Sequence, residues 1–313
     1  MSPKVEVIIN ANSGVADKEE TRRQLASIFT ASGIESRISL ARRGGEVAKL
    51  TRRAVDGGAE TIVAGGGDGT INAIASMVVG SNKTFGVLPL GTLNHFAKDL
   101  HIPLDLEGAA RTIIAGHSVN IDVGEVNEHI FVNNSSLGLY PSIVRQRQVV
   151  QRLGHRKWPA FLWAAIAVLR RYPFLDVRLL VDGKELSTRT PFVFIGNNVY
   201  EMEGFKIGGR MRLNAGALSL YVTHRTGRLG LLKLALRALF KRLRQAEDFI
   251  VLITTEVHVE TRRRRRRMRV ATDGEVTLMH SPLHYLVRPG ALRVLVPEEI
   301  EGARKDANIG ASF

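Results

Sequence analysis

The first third of the chain alternates short apolar runs with stretches whose apolar positions recur at helical spacing. Val5, Val7, Ile8 and Ile9 make residues 4–9 apolar enough for a buried strand, and the polar loop Asn10-Ala11-Asn12-Ser13-Gly14 leads from it toward a helix near Asp17. The same reading predicts strands over 35–40, 61–64 and 85–89, and helices over 46–56 and 105–115. Strands alternating with helices at this spacing imply parallel βαβ units, a Rossmann-like α/β domain. Ligands of open α/β sheets bind outside the carboxyl ends of the strands. That draws three glycine-containing loops to one edge: 10–14, 65–72 and 91–94.

After Asn120-Ile121-Asp122 the helical alternation stops. The expected division is a nucleotide-binding α/β domain over 1–124 and a β-rich, mainly antiparallel sandwich domain over 125–297, with the tail 298–313 packing back on the first. Residues 177–181, 192–195, 218–222, 256–261, 268–272 and 292–296 read as strands. Between them, 158–169 reads as a helix apolar nearly all round, which points to burial in a core. The stretch 229–243 interleaves Leu231, Leu232, Leu234, Leu236, Leu239 and Phe240 with Lys233, Arg237, Lys241 and Arg242. A basic amphipathic helix of that kind suits a membrane surface. Alternation of Val257 and Val259, then Met268 and Val270, places the arginine run 262–267 at the tip of a β-hairpin, where the plain reading is a solvated loop.

The strand over 61–64 runs into Gly65-Gly66-Gly67-Asp68-Gly69-Thr70-Ile71-Asn72. Four glycines around one aspartate suggest positive φ and backbone N–H groups brought close to a ligand. Thr70 stands where an N-cap belongs, ahead of Ile71, Ile74 and Ala75. An anion such as phosphate fits the start of that helix. The turn carries no lysine to offset repulsion between Asp68 and a polyphosphate, so a hard cation, Mg²⁺, is expected between them. The plain alternative is a tight strand-to-helix turn with Asp68 as a local hydrogen-bonding residue.

Composition narrows the partners. A formal charge of +14 and a pI near 10.5 call for an anionic partner, a membrane surface or a nucleic acid. No helix-turn-helix, zinc-finger or aromatic-rich RNA-binding signature accompanies the arginines, so no specific nucleic acid is expected. The absence of cysteine excludes disulfides and thiolate zinc sites. His280 and His284 have ligand-pair spacing, but Pro282 lies between them and both read as ordinary polar residues. The N-terminus has no apolar signal core and 158–169 is too short to span a bilayer, which predicts a cytoplasmic protein.

At the three loops the chain resembles the diacylglycerol kinase catalytic-domain family, which includes bacterial lipid kinases and sphingosine kinases. The resemblance rests on Asn10…Ser13-Gly14, Gly66-Gly67-Asp68-Gly69-Thr70 and Gly91-Thr92-Leu93-Asn94-His95-Phe96-Ala97, in that order, and continues through most of the chain. It implies an ATP-dependent lipid kinase. The nucleotide would be held by Asn10, Ala11, Asn12, Ser13, Gly14, Gly66, Gly67, Asp68, Gly69, Thr70, Asn72, Thr92 and Asn94. Asp68 would organise Mg²⁺, and Asp273 or Glu275 of Asp273-Gly274-Glu275 would accept the hydroxyl proton; the two are not separated, and by spacing alone Asp-Gly is simply a hairpin turn. His95 stands where the family usually has aspartate, and Ala215 stands in the block that holds a structural Mg²⁺ in some relatives. The acceptor implied is a membrane lipid such as diacylglycerol, a sphingoid base or a related glycerolipid. Arg262, Arg267 and the run between them, with the 229–245 helix, would meet an anionic membrane at its inner face. A homodimer is left open. Two rivals stand beside this reading: a soluble-substrate kinase of the NAD kinase type, and a lipid-binding protein without catalysis.

Overall fold

The computed structural model describes residues 4–14, 17–43, 45–138, 174–181, 183–203, 206–210, 212–223, 249–261 and 267–298. They fall into two compact units, one of 1–123 with 289–313 and the other of 124–288.

In the first unit the elements run β1 (Val5–Asn10), α1 (Lys18–Ala31), β2 (Ser36–Ala41), α2 (Glu46–Asp56), β3 (Thr61–Gly66), α3 (Asp68–Val78), β4 (Thr84–Pro89), α4 (His95–Asp99) and α5 (Leu106–Ala115). The strands pair in the order β2-β1-β3-β4, all parallel. Val7, Ile8 and Ile9 of β1 and Ile62, Val63 and Ala64 of β3 are buried without alternation, as strands covered on both faces must be. Helix α1 packs with α5 and α2 with α3. Between β1 and β3 the strand order reverses direction. Their carboxyl ends therefore frame the crevice in which such sheets bind ligands.

The second unit contains β6 (His129–Phe131), β7 (Asn134–Gly138), β8 (Leu175–Val181), β9 (Lys184–Thr190), β10 (Phe192–Asn197), β11 (Tyr200–Glu203), β12 (Lys206–Arg210), β13 (Leu218–Thr223), β14 (Phe249–Thr254), β15 (Glu256–Thr261), β16 (Arg267–Thr272) and β17 (Glu275–His280). Two longer strands, β5 (Ser118–Val126) and β18 (Leu283–Leu295), carry the chain from one unit to the other. One antiparallel sheet runs β14-β13-β10-β7-β16-β17. In the other, β15 lies between β8 and the start of β18, with β9 beyond β8. Val177, Leu179, Val257 and Val259 from this sheet share a core with Leu137, Val193, Ile195, Leu220 and Val270 from the six-stranded one. Burying each such side chain stabilises by roughly 1.5–3 kcal/mol, which ties the two sheets into a sandwich. The fold is thus an α/β unit with a parallel sheet and a β-rich antiparallel unit, as the sequence pattern predicts.

Three local expectations are corrected. Strands β15 and β16 belong to different sheets and are therefore not the two arms of the hairpin expected to flank the arginine run. The residues 262–266 themselves, and the predicted helices over 158–169 and 229–243, lie outside the described residues. Thr70 is not an N-cap: α3 begins at Asp68 with Gly67 as the cap residue. The strand expected over 292–296 begins much earlier, at Leu283.

Candidate functional site

At the end of β1 the loop 10–14 folds on the Asn10 side chain. Asn10 Oδ1 accepts the Asn12 N–H at 3.0 Å, and its Nδ2 donates to Thr70 Oγ1 at 2.9 Å, joining this loop to α3. Ser13 donates to the Asn10 carbonyl twice, from N–H at 3.1 Å and from Oγ at 2.8 Å. Ala11 N–H bonds the Ala41 carbonyl, and Asn12 Nδ2 the Arg42 carbonyl, so the end of β2 anchors the loop as well.

The glycines of the turn serve close approach and not positive φ, since none of Gly65, Gly66, Gly67 and Gly69 is left-handed. A Cβ on Gly91 would lie 2.3 Å from Gly67 Cα, closer than any real Cβ contact. A Cβ on Gly14, whose φ is +68°, would lie 2.3 Å from the Leu90 carbonyl oxygen. Through these two contacts the loops 10–14, 65–72 and 91–94 meet. Asn94, left-handed at φ 52°, closes the third loop on itself. Its Nδ2 donates to the Gly91 carbonyl at 2.9 Å and the Pro89 carbonyl at 3.2 Å, while Oδ1 accepts the Gly91 N–H at 3.1 Å. Thr92 and His95 are exposed beside it.

Half-buried Asp68 accepts the Phe96 N–H on Oδ1 at 3.3 Å. Its other oxygen has no partner among the described residues. That free oxygen at a strand-to-helix turn fits a hard cation such as Mg²⁺. Asn72 is buried, and its Oδ1 has no partner among the described residues. Among the described residues a polar group here escapes sequence reading: Lys18, at the start of α1, is buried with its Nζ unpartnered by any of them. Its only sequence signal is a cation in a helical first turn, where cations are disfavoured, just past the Gly14 loop.

In the sandwich unit Asp273 and Gly274 form the two-residue turn between β16 and β17, both at positive φ, with Thr272 facing Glu275. The Asp273 carboxylate turns back onto the chain before β7: Oδ2 accepts the Val132 N–H at 2.7 Å, and Oδ1 those of Asn133 and Asn134, each at 2.9 Å. Burial pushes its pKa up to about 6, against the pull of those three N–H groups and of Arg210. Arg210 is itself buried, donating to the Val132 carbonyl at 2.6 Å and to Asn133 Oδ1 at 2.9 Å. Glu275 is exposed and has no side-chain partner among the described residues. Ala215 offers a backbone N–H to Asn198 Oδ1 at 2.9 Å and no carboxylate.

A further cluster, Glu256, His258 and His284, lies on β15 and β18. His258 and His284 are directly opposed in register, and their rings stack 4.3 Å apart at 5°. One nitrogen of each ring lies near Glu256 Oε1, at 4.0 Å from His258 Nδ1 and 2.6 Å from His284 Nε2. The 2.6 Å hydrogen bond between His284 Nε2 and Glu256 Oε1 accounts for the cluster as a surface polar pair.

Comparisons with known proteins agree with this arrangement. Residues 4–126 match the diacylglycerol kinase catalytic domain, and residues 142–296 match the YegS C-terminal NAD kinase beta sandwich-like domain. Together with the switch-point loops, these matches define a kinase. The chain belongs to the diacylglycerol kinase-like family. Among its relatives is a diacylglycerol kinase of Staphylococcus carnosus, 28% identical over 232 residues that make up 72% of this chain and 74% of that one. A Staphylococcus aureus diacylglycerol kinase is 27% identical over 233 residues, 72% of each chain. A diacylglycerol kinase structure from Bacillus anthracis shares the fold at a TM-score of 0.71 and 19% identity, over 95% of this chain and 98% of that one.

Proposed function

We propose that the protein is an ATP-dependent lipid kinase that transfers the γ-phosphate to the hydroxyl of a membrane lipid: diacylglycerol, a sphingoid base or a related glycerolipid. The observation that carries the ATP part is the meeting of the loops 10–14, 65–72 and 91–94 where the strand order reverses, with Asp68 presenting one free carboxylate oxygen. Phosphoryl transfer is chiefly positioning and charge stabilisation. Loop N–H groups and the start of α3 hold phosphates. Asn10 and Thr70 keep two of the loops in register, and Asn94 keeps the third closed. Asp68 would hold Mg²⁺, which when bound neutralises charge on the phosphates.

Of the two carboxylates left open by sequence, Glu275 is the better proton acceptor. Asp273 already accepts three N–H bonds, which makes it a fixed brace for the 132–134 segment. Glu275 has both oxygens free of partners among the described residues, to take the acceptor hydroxyl's proton as the bond to phosphorus forms.

The lipid part rests on the relatives named diacylglycerol kinase and on the arginine run and basic amphipathic stretch, which suit an anionic inner membrane face. No helix among the described residues is long and apolar enough to cross a membrane; the association proposed is a peripheral one through the basic stretches. The test is incubation with Mg²⁺, labelled ATP and total lipid extract, with NAD and other soluble acceptors in parallel arms. Label in a lipid supports the reading; label only in a soluble acceptor overturns it in favour of the NAD kinase-like alternative. Vesicle sedimentation checks the surface: neutralising Arg262 through Arg267 should weaken binding to anionic vesicles by about 1 kcal/mol per arginine at most. Unchanged binding removes the arginines from the proposal, and loss of DNA or RNA affinity instead would point to a nucleic-acid role.

A further inference from the structure

Lys18 is the first residue of α1 and is 8% exposed, yet its Nζ has no hydrogen-bond partner among the described residues. Taking an ammonium out of water without a partner is costly. The start of a helix makes it costlier, because the positive end of the helix dipole lies there too. Neighbouring carboxylates do not answer the charge. Asp17 Oδ1 is taken by the N–H groups of Glu19 and Glu20. Glu19 pairs with Arg22 and Arg42, and Glu20 with Arg23 and Gln24.

The ammonium stands at the junction of the loops. A Cβ built on Gly14 would meet Lys18 Nζ at 3.5 Å and the Leu90 carbonyl oxygen at 2.3 Å. Leu90 leads into Gly91, which touches Gly67 in the turn that carries Asp68.

We propose that Lys18 is the fixed positive partner of the nucleotide's phosphates. The inference rests on the reading of this site as a nucleotide site. The glycine turn contains no lysine, so nothing in it balances Asp68 against a polyphosphate. The cation enters instead from the helix after the first loop, and the buried charge finds its partner only when the anion arrives. An ammonium on a four-carbon stem carries three donors and demands no planar geometry, which suits a phosphate chain. The charge contributes in proportion to the phosphates present and nothing to the nucleoside.

The experiment is calorimetric binding of Mg·ATP, ADP and adenosine to the full-length wild type, Lys18→Met and Lys18→Arg, with melting temperatures of the nucleotide-free proteins. Removing a charge-assisted hydrogen bond should weaken Mg·ATP binding to Lys18→Met about tenfold or more. ADP should follow, adenosine should bind both proteins alike, and Lys18→Arg should fall between. Without nucleotide, Lys18→Met should melt at or above the wild-type temperature, since an unpaired buried charge is gone. Wild-type affinity for Mg·ATP in Lys18→Met overturns the inference and leaves the nucleotide reading standing. So does an equal loss for adenosine with a lowered melting temperature, which marks a packing residue. A wild type that binds none of the three ligands overturns the nucleotide reading, and the inference with it.

Discussion

The loops of the α/β unit and the turn of the sandwich unit hold their polar groups in opposite ways. At the ends of β1 and β3, backbone meets backbone where no side chain fits, and several polar groups are left open: Lys18 Nζ, Asn72 Oδ1 and one Asp68 oxygen. At the β16–β17 turn the Asp273 carboxylate is closed by three N–H donors, and the open acid, Glu275, stands two residues later. A site for a diffusible anion and its counter-cation has to keep polar groups, Lys18 Nζ as donor and the Asp68 oxygen as acceptor, unsatisfied until the ligands come. A brace has to satisfy its groups in advance, because each unpaired polar group would weaken the fold it supports. On the proposed function, the difference sorts the acids into those that would bind or react and one that holds structure.

The sharpest test of that sorting is activity. Asp68→Asn should lower phosphoryl transfer by about a hundredfold or more, since it removes charge where charge must be balanced. Its melting temperature should barely move, because an amide oxygen can still accept the Phe96 N–H. Glu275→Gln should lower kcat by about a hundredfold, within the range for a lost general base, and leave both nucleotide affinity and stability unchanged. Asp273→Asn should do the reverse in kind. An amide offers one acceptor oxygen where three N–H groups need two, so unfolding in urea should begin earlier. If Asp273→Asn keeps full stability and Glu275→Gln full turnover, the two roles are assigned the wrong way round.

Backbone contact in the α/β unit can be broken directly. Gly91→Ala puts a methyl 2.3 Å from Gly67 Cα, and neither loop can yield without moving the other. The expected loss is about 3 kcal/mol of stability, at the upper end for overpacking, together with weaker nucleotide binding. Denaturant unfolding with and without ATP measures both. A stable variant with wild-type affinity would mean that the two loops do not depend on their contact.

The α/β unit was largely legible because buried parallel strands read as unbroken apolar runs and its loops carry glycine, which has few other reasons to cluster. Helix α2 falls where its apolar spacing places it, at Glu46–Asp56. The sandwich was harder. Val257 and Val259, then Met268 and Val270, alternate as hairpin strands would, yet alternation only says that one face is buried. It does not say which sheet a strand joins, and the two strands joined different ones. Strand β9, with Lys184, Glu185, Ser187 and Thr188 in its seven residues, offers almost no apolar signal and is held by pairing with β8. In the site, Asp68 was marked by its glycines, whereas Lys18 differs from any surface lysine only through burial, which tertiary packing decides.

The last expectation concerns Asp273 and pH. Its pKa is raised by burial from 3.8 to about 6, so the folded protein holds that proton more tightly than the unfolded chain does. The sign follows from linkage: the contribution to stability is fully present below the unfolded value near 3.8 and is lost as pH rises through about 6. A shift of about two pKa units corresponds to roughly 3 kcal/mol at most. Other groups titrate in the same interval, so the useful quantity is the difference between wild type and Asp273→Asn. Urea unfolding from pH 4 to 7 should give a wild-type stability that falls relative to the variant as pH rises, and a constant difference above pH 7. A difference that grows in the wild type's favour instead would mean that the three N–H donors outweigh burial and that the carboxylate stays ionised through the whole interval. The brace would then be an anion held by backbone dipoles, and Asp273 would become a group that stabilises the fold most at neutral pH.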